Sequence, residues 1–180
     1  MKAMETPRAF QHAPGGEPVI RPLTPADEPL LWEMLYQAIH VPDGCPPPPR
    51  DVVRRPELSR YVRGWGDEDD LGFVAMQDGD AVGAAWLRRL TGALAGYGHV
   101  NDETPELTVA LLPQHRGRGL GTRLLTCLLE AARIRYPAVS LSVSPDNAAL
   151  RLYRRLGFVD AGQSGSSLTL VLAFAAGSGG

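Results

Sequence analysis

The chain predicts an α/β (α+β) fold: a mixed central sheet of six to seven strands with about four helices. Three observations carry that expectation. Residues 139–144 alternate Val139, Leu141 and Val143 with Ser140, Ser142 and Ser144, the period of a strand with one apolar face. Just upstream, Leu124, Leu125, Leu128, Ala131 and Ala132 recur at helical spacing. Before that helix an apolar run (Leu107, Val109, Leu111) stops at Pro113 and passes through a glycine-rich turn, so strand, loop and helix follow one another over residues 107–129.

A chain of 180 residues is long enough for one domain that buries about 70% of its unfolded surface. We expect that domain over 19–176, a flexible arm over 1–18 and a frayed end at 177–180. Eighteen basic and 20 acidic residues give a net charge of −2, which argues against nucleic-acid and membrane-surface partners. Cys45 and Cys127 lack metal-ligand spacing, so no metal is expected and a reduced, cytoplasmic compartment is. No apolar run is long enough to span a bilayer.

In chain order, Val19, Ile20 and Arg21 form a short strand stopped by Pro22. Thr24 or Asp27 caps a helix over about 27–39, whose buried stripe is Leu30, Leu31, Met34, Leu35 and Ala38. Trp32 and Tyr36 lie four apart on another side, either packed on a neighbouring helix or lining a pocket. Pro46 to Pro49 make a stiff extended segment. A second helix is expected from Pro56 to about Gly64, followed by an acidic run (Asp67, Glu68, Asp69, Asp70) that is either a solvated loop or a lure for a cationic substrate. Residues 71–76 and 81–87 read as strands of a hairpin turning at Asp78-Gly79. The glycine-rich segment 91–99 is the turn before the central strand. Pro137 ends the long helix, and Asp146 or Asn147 caps the next, over 148–156, with Gly157 as its stop. Residues 158–161 and 168–174 close the chain as a hairpin.

The glycines at 117, 119 and 121 remove Cβ atoms beside the main chain and permit positive φ, so consecutive N–H groups can converge on an anion. The helix N-terminus behind them adds unpaired donors and partial positive charge, which makes a phosphate cradle. A dinucleotide fingerprint fails because its third glycine would stand at Thr122, and a P-loop fails for want of lysine. What remains is Arg-x-x-Gly-x-Gly at Arg116, Gly119 and Gly121. It resembles the acyl-CoA-binding motif of the GNAT N-acetyltransferases. Asn147, Ala148, Leu150, Tyr153, Gly157 and Phe158 resemble the second segment of that family, about 30 residues on.

The resemblance implies that the strand before the cradle and the strand at 139–144 splay apart, so that the pantetheine arm of acetyl-CoA, as co-substrate, enters between them. It implies that the N–H near Leu111 holds the thioester carbonyl and that the amides of Arg116, Gly117, Arg118, Gly119, Leu120, Gly121 and Thr122 take the pyrophosphate, with Asn147 beside them. Arg116, Arg118 and Arg123 bring positive charge there. Acyl transfer to a primary amine by direct attack in a ternary complex is the implied reaction. Tyr153 is then the acid that protonates the departing thiolate, unless it is merely the polar-edged member of its helix. For the base, Glu106 falls one residue from its expected position, and His99 and Glu103 compete with it. The acceptor, a small-molecule or protein amine, would be held by the first two helices, the proline-rich loop and the last hairpin, where Trp32, Tyr36, His40 and Trp65 are candidates for its wall and His99 for a further contact. A homodimer through the terminal strands fits the same pattern. A catalytically silent acyl-CoA-binding sensor is the alternative.

Overall fold

The chain reverses first at Asp78 and Gly79, whose φ values of 51° and 88° suit a two-residue hairpin turn of the primed type. Around that turn, β2 (Leu71–Gln77) and β3 (Asp80–Arg88) pair antiparallel, with β1 (Val19–Pro22) outside β2 and β4 (Glu106–Leu111) on the other side of β3. The sheet continues through β5 (Ala138–Val143), β7 (Ser167–Ala173) and β6 (Val159–Ser164) in the order β1-β2-β3-β4-β5-β7-β6. Every neighbouring pair is antiparallel except β4 and β5. The computed structural model from which this is read describes residues 15–175; residues 1–14 of the expected arm and the expected frayed tail at 177–180 lie outside them. Residues 16–18 are not a free arm, because Gln77 donates to Gly16 O, and Arg123 binds the Glu17 carboxylate and Pro18 O.

Alternation decides what each face of the sheet meets. Leu107, Val139, Leu141, Val143 and Leu170 share a core with the stripe Leu120, Leu124, Leu125, Leu128, Leu129 and Ala132 of α3 (Leu120–Arg135). The opposite face carries Val74, Ala84, Trp86 and Ala110 against Leu31, Met34 and Leu35 of α1 (Glu28–Ala38). Glu106 and Ser140, register partners at the junction of β4 and β5, belong to this second face. Among the described residues no helix is long and apolar enough to cross a membrane.

The expected helices need three corrections. Residues 25–27 form a 3-10 turn before α1, because Pro25 and the Thr24–Asp27 capping box favour a tight first turn. The second helix, α2, runs only from Pro56 to Ser59. Beyond it, Tyr61, Val62 and Trp65 donate three residues back, which tightens the chain into 3-10 turns. The last helix, α4 (Leu150–Arg155), starts later than expected because Asn147 Oδ1 accepts Ala149 N–H and holds a turn ahead of it. Its end is as expected: Gly157 sits at φ 100° while Phe158 N–H closes on Tyr153 O.

The acidic run divides: Asp67 and Glu68 are exposed, as a solvated loop requires, and its end is tied into the fold. Asp70, with a side chain 4% exposed, accepts Arg88 Nε at 3.0 Å. The Arg88 guanidinium also donates to Arg60 O, Arg63 O and Gly64 O and reaches Asp67. Asp69 pairs with Arg89.

Near the start of the domain Asp27 accepts two bonds from Arg21 and two from Thr24. The Arg21 guanidinium, helped by Thr24, holds the Asp27 carboxyl down at about 2, below the usual 3.8. A depressed carboxylate contributes stability that is present above the unfolded value and is lost as pH falls through the folded one. We expect about 2 kcal/mol to disappear between about pH 4 and pH 2. Urea titrations of the wild type and Asp27→Asn over that range should converge towards low pH; parallel curves would refute the assignment.

Candidate active site

The site begins where sheet pairing fails. β4 and β5 share the single register pair Glu106 with Ser140, supported by Ser140 N–H on Pro105 O at 3.0 Å. Main-chain groups of a strand point to alternate sides. Pro105 O faces β5, whereas Leu112 N–H is spent on Val82 O of β3 at 3.0 Å. The same alternation turns the N–H and C=O groups of Val109 and Leu111 towards β5, beyond the point where pairing stops. Their N–H groups form an open edge inside the sheet, while Leu111 O accepts Arg116 Nε. Leu111 was singled out from the sequence; Val109 was not, although the period-2 pattern that selects one selects the other.

The glycine-rich turn lies at the C-terminal end of that edge. Gly117 and Gly119 have φ of 70° and 82°, and a Cβ on either would meet nothing within 4 Å, so the space above them is open. Gly119 is the N-cap of α3, and the first bond it closes is Arg123 N–H to Gly119 O. The amides of Leu120, Gly121 and Thr122 precede that bond and lack an intrahelical acceptor. Gly121 does not use positive φ as expected. It lies within α3, where a Cβ would stand in ordinary contact with Leu111 of β4 and Leu152 of α4.

The arginines are placed differently from the expectation. Arg116 N–H is donated to Pro113 O, and its side chain turns back to Leu111 O at 3.1 Å and Gln37 O at 3.2 Å, tying β4 to α1. Arg123 is held by Glu17. Arg118 is exposed beside the open turn. Asn147 sits in the loop after β5, and Asp146 next to it lies 3.1 Å from His40 Nε2, so the ends of α1 and β5 meet near the mouth of the gap.

Tyr153 is 7% exposed and meets Phe158 edge-on. Burial pushes its phenol up to about 12. Its hydroxyl has no partner among the described residues, yet it is not enclosed, unlike Ser140 Oγ, which is both enclosed and unpartnered. Glu106 is buried under Tyr61 and the backbone of residues 96–98. His99 is bound to Leu90 O and lies 3.6 Å from Asp102, while Glu103 donates its main-chain N–H to Asn101 Oδ1. The four candidates for an acceptor wall have other contacts. Arg54 stacks on Trp32 at 3.9 Å and Arg50 on Tyr36 at 4.4 Å, Tyr36 also donates to Pro48 O, and Trp65 is buried with its N–H on Thr24 O. Tyr61 and Ser140 were not legible as site residues, because only the folded chain brings them to Glu106.

An open strand edge leading to bare amides at a helix start suits an extended arm ending in a diphosphate. The sequence model of the acetyltransferase (GNAT) family matches residues 32–158. The chain belongs to that family. This GNAT domain is 36% identical over 108 residues to a mycothiol acetyltransferase of Acidothermus cellulolyticus, a match covering 55% of this chain and 32% of that protein. It is 42% identical over 78 residues to the N-alpha-acetyltransferase RimI of Mycobacterium tuberculosis, covering 39% and 48% respectively. The matches thus span about a third and a half of those relatives' lengths. In structure it is similar to the GNAT domain of S. lividans PAT, with a TM-score of 0.64 and 21% identity over 89% of this chain and 92% of that one.

Gly119→Val tests the cradle. A branched residue at φ 82° is strained and places its methyl groups in the open space, so we expect CoA affinity to fall about 100-fold or more by calorimetry. Gly79→Ala, with φ of 88° in the distant hairpin, introduces comparable backbone strain and should leave CoA affinity unchanged. Equal losses in both would show a general folding defect instead.

Proposed function

We propose that this GNAT domain is an acetyl-CoA-dependent N-acetyltransferase that passes acetyl to a primary amine by direct attack in a ternary complex. The observation that carries the reading is a pair of unpaired donor sets on one side of the molecule, the N–H groups of Val109 and Leu111 on the β4 edge and the amides of Leu120, Gly121 and Thr122 at the α3 start. The residues fit the co-substrate. The β4 edge would take the pantetheine amides as an added strand does, the Leu111 or Val109 N–H would steady negative charge developing on the thioester oxygen, and the α3 start would take the diphosphate. Acetyl-CoA supplies the activated acyl group.

In the transfer a C–N bond forms as the C–S bond breaks, the amine loses a proton and the departing thiolate gains one. Tyr153 is the donor we assign to the thiolate. At pH 7 it is protonated, because burial holds the phenol at about 12. An ordinary thiol is near 8.5, and the same desolvation raises a thiolate in the gap, which narrows the mismatch. Neither cysteine offers a covalent route: Cys45 is exposed, and Cys127 lies on α3 facing Glu17, Pro18 and Val19 of the opposite edge of the sheet.

The relatives' names point to two acceptor classes, an N-alpha amine and a mycothiol-type amine. Calorimetry with CoA and acetyl-CoA, then acetyl-CoA consumption with an alanine-initiated peptide, a mycothiol-type amine and spermidine, tests the reading. Binding and turnover of one class are expected. Binding with no turnover would favour the acyl-CoA sensor, and no binding would end both readings.

A further inference from the structure

Glu106 occupies the closed end of the gap, where a base would be sought, yet its carboxylate is already engaged. Oε1 accepts Tyr61 O–H at 3.1 Å and Gly98 N–H at 2.8 Å, and Oε2 accepts Gly96 N–H at 2.8 Å. That fills three of about four acceptor positions on a side chain only 2% exposed. An incoming ammonium would have to displace N–H groups aimed at both oxygens.

Those donors belong to one loop. Tyr97 N–H goes to Tyr61 Oη at 2.9 Å, so three consecutive amides, 96 to 98, converge on the Glu106–Tyr61 pair. Arg60 adds a bond to Ala95 O, and His99 one to Leu90 O. The glycines are required by contact. A Cβ on Gly96 would stand 2.3 Å from Tyr61 Oη and 2.5 Å from Glu106 Oε1; one on Gly98 would stand 2.8 Å from Leu141 C and 2.9 Å from Ser142 N. The loop therefore runs from Glu106 on β4 directly onto the backbone of β5 and bridges the base of the splay. Beside it lies Ser140 Oγ, fully buried and without a partner.

We infer that Glu106 is a positioning residue: its carboxylate fixes the loop around Gly96, Tyr97 and Gly98 as the acceptor-side wall of the gap, and it does not take the amine's proton. This rests on the proposed acetyl transfer. With the co-substrate entering from the cradle end, an acceptor reaches the thioester past this loop, so its fixity sets acceptor binding.

The test compares Glu106→Gln, which turns one acceptor into a donor facing an N–H, with Tyr61→Phe, which removes the hydroxyl and leaves the carboxylate intact. In both variants, amide exchange at Gly96, Tyr97 and Gly98 should quicken about tenfold or more, as loss of one buried bond implies. Calorimetry should find acetyl-CoA affinity within about twofold of wild type, since no cradle contact changes. With the alanine-initiated peptide as acceptor, KM should rise about tenfold in both variants while the pH profile of kcat keeps its shape. Unchanged exchange in Glu106→Gln would overturn the inference. So would loss of the acidic limb of kcat in that variant with a normal limb in Tyr61→Phe, which would make Glu106 the base. A wild-type protein that binds no acetyl-CoA would refute the transfer reading itself and still leave the exchange result to judge the loop.

Discussion

Tyr153→Phe is expected to lower kcat about 100- to 10,000-fold, the usual worth of a positioned acid, with little change in the KM for acetyl-CoA. The substitution removes one oxygen that has no hydrogen-bond partner among the described residues, and it leaves the edge-on contact with Phe158 in place. Stability should therefore stay within about 0.5 kcal/mol of wild type. A large loss of rate without a loss of stability separates the acid from a merely packed helix residue. Because the phenol lies at about 12, its ionisation should not depress kcat anywhere below about pH 11. Any alkaline fall seen at lower pH must come from another group. Wild-type kcat in Tyr153→Phe would show that solvent protonates the thiolate and that Tyr153 serves packing alone.

Arg88→Met should cost about 3–5 kcal/mol, the largest stability effect we anticipate, because it leaves Asp70 buried and unpaired. All five guanidinium donors are in use, on Asp70, Asp67 and the carbonyls of Arg60, Arg63 and Gly64. Those carbonyls end short 3-10 turns that offer them few other donors. Against a typical total of about 5–15 kcal/mol the loss is large, and it corresponds to a fall in Tm of roughly 6–20 °C for a domain of this size. Arg88→Lys should recover only part of it, since an ammonium is a point charge that cannot serve five acceptors in a plane. The effect should also reach the site: Arg88 is the register partner of Glu106 and anchors the segment that carries Tyr61. Urea midpoints for Arg88→Met, Asp70→Asn and the double variant would measure the coupling. Additive losses would mean that the pair does not act as one unit.

Much of this architecture was legible before folding. The strand at Ala138–Val143, α3 and the Asp78-Gly79 hairpin were all marked by a period or a turn residue within a few positions. The left-handed turn at Gly117 and Gly119 was legible for the same reason, since both meet a backbone requirement that acts within one turn. The second helix was overextended because its apolar spacing persists to Val62, while Arg88, more than 20 residues away, captures its carbonyls and tightens the chain. Trp32 and Tyr36 looked available for an acceptor until Arg54 and Arg50 were found stacked on them.

Glu106 marks the boundary between the two kinds of knowledge. Its type and its place by the central strand came from the sequence, as did the glycine-rich turn and the family. Its environment did not, because Tyr61 stands 45 residues away and the Gly96 and Gly98 amides arrive through a loop with no period of its own. Periodicity records which face of an element avoids water. The partners of a buried polar atom are settled only when distant segments close around it and every donor must find an acceptor.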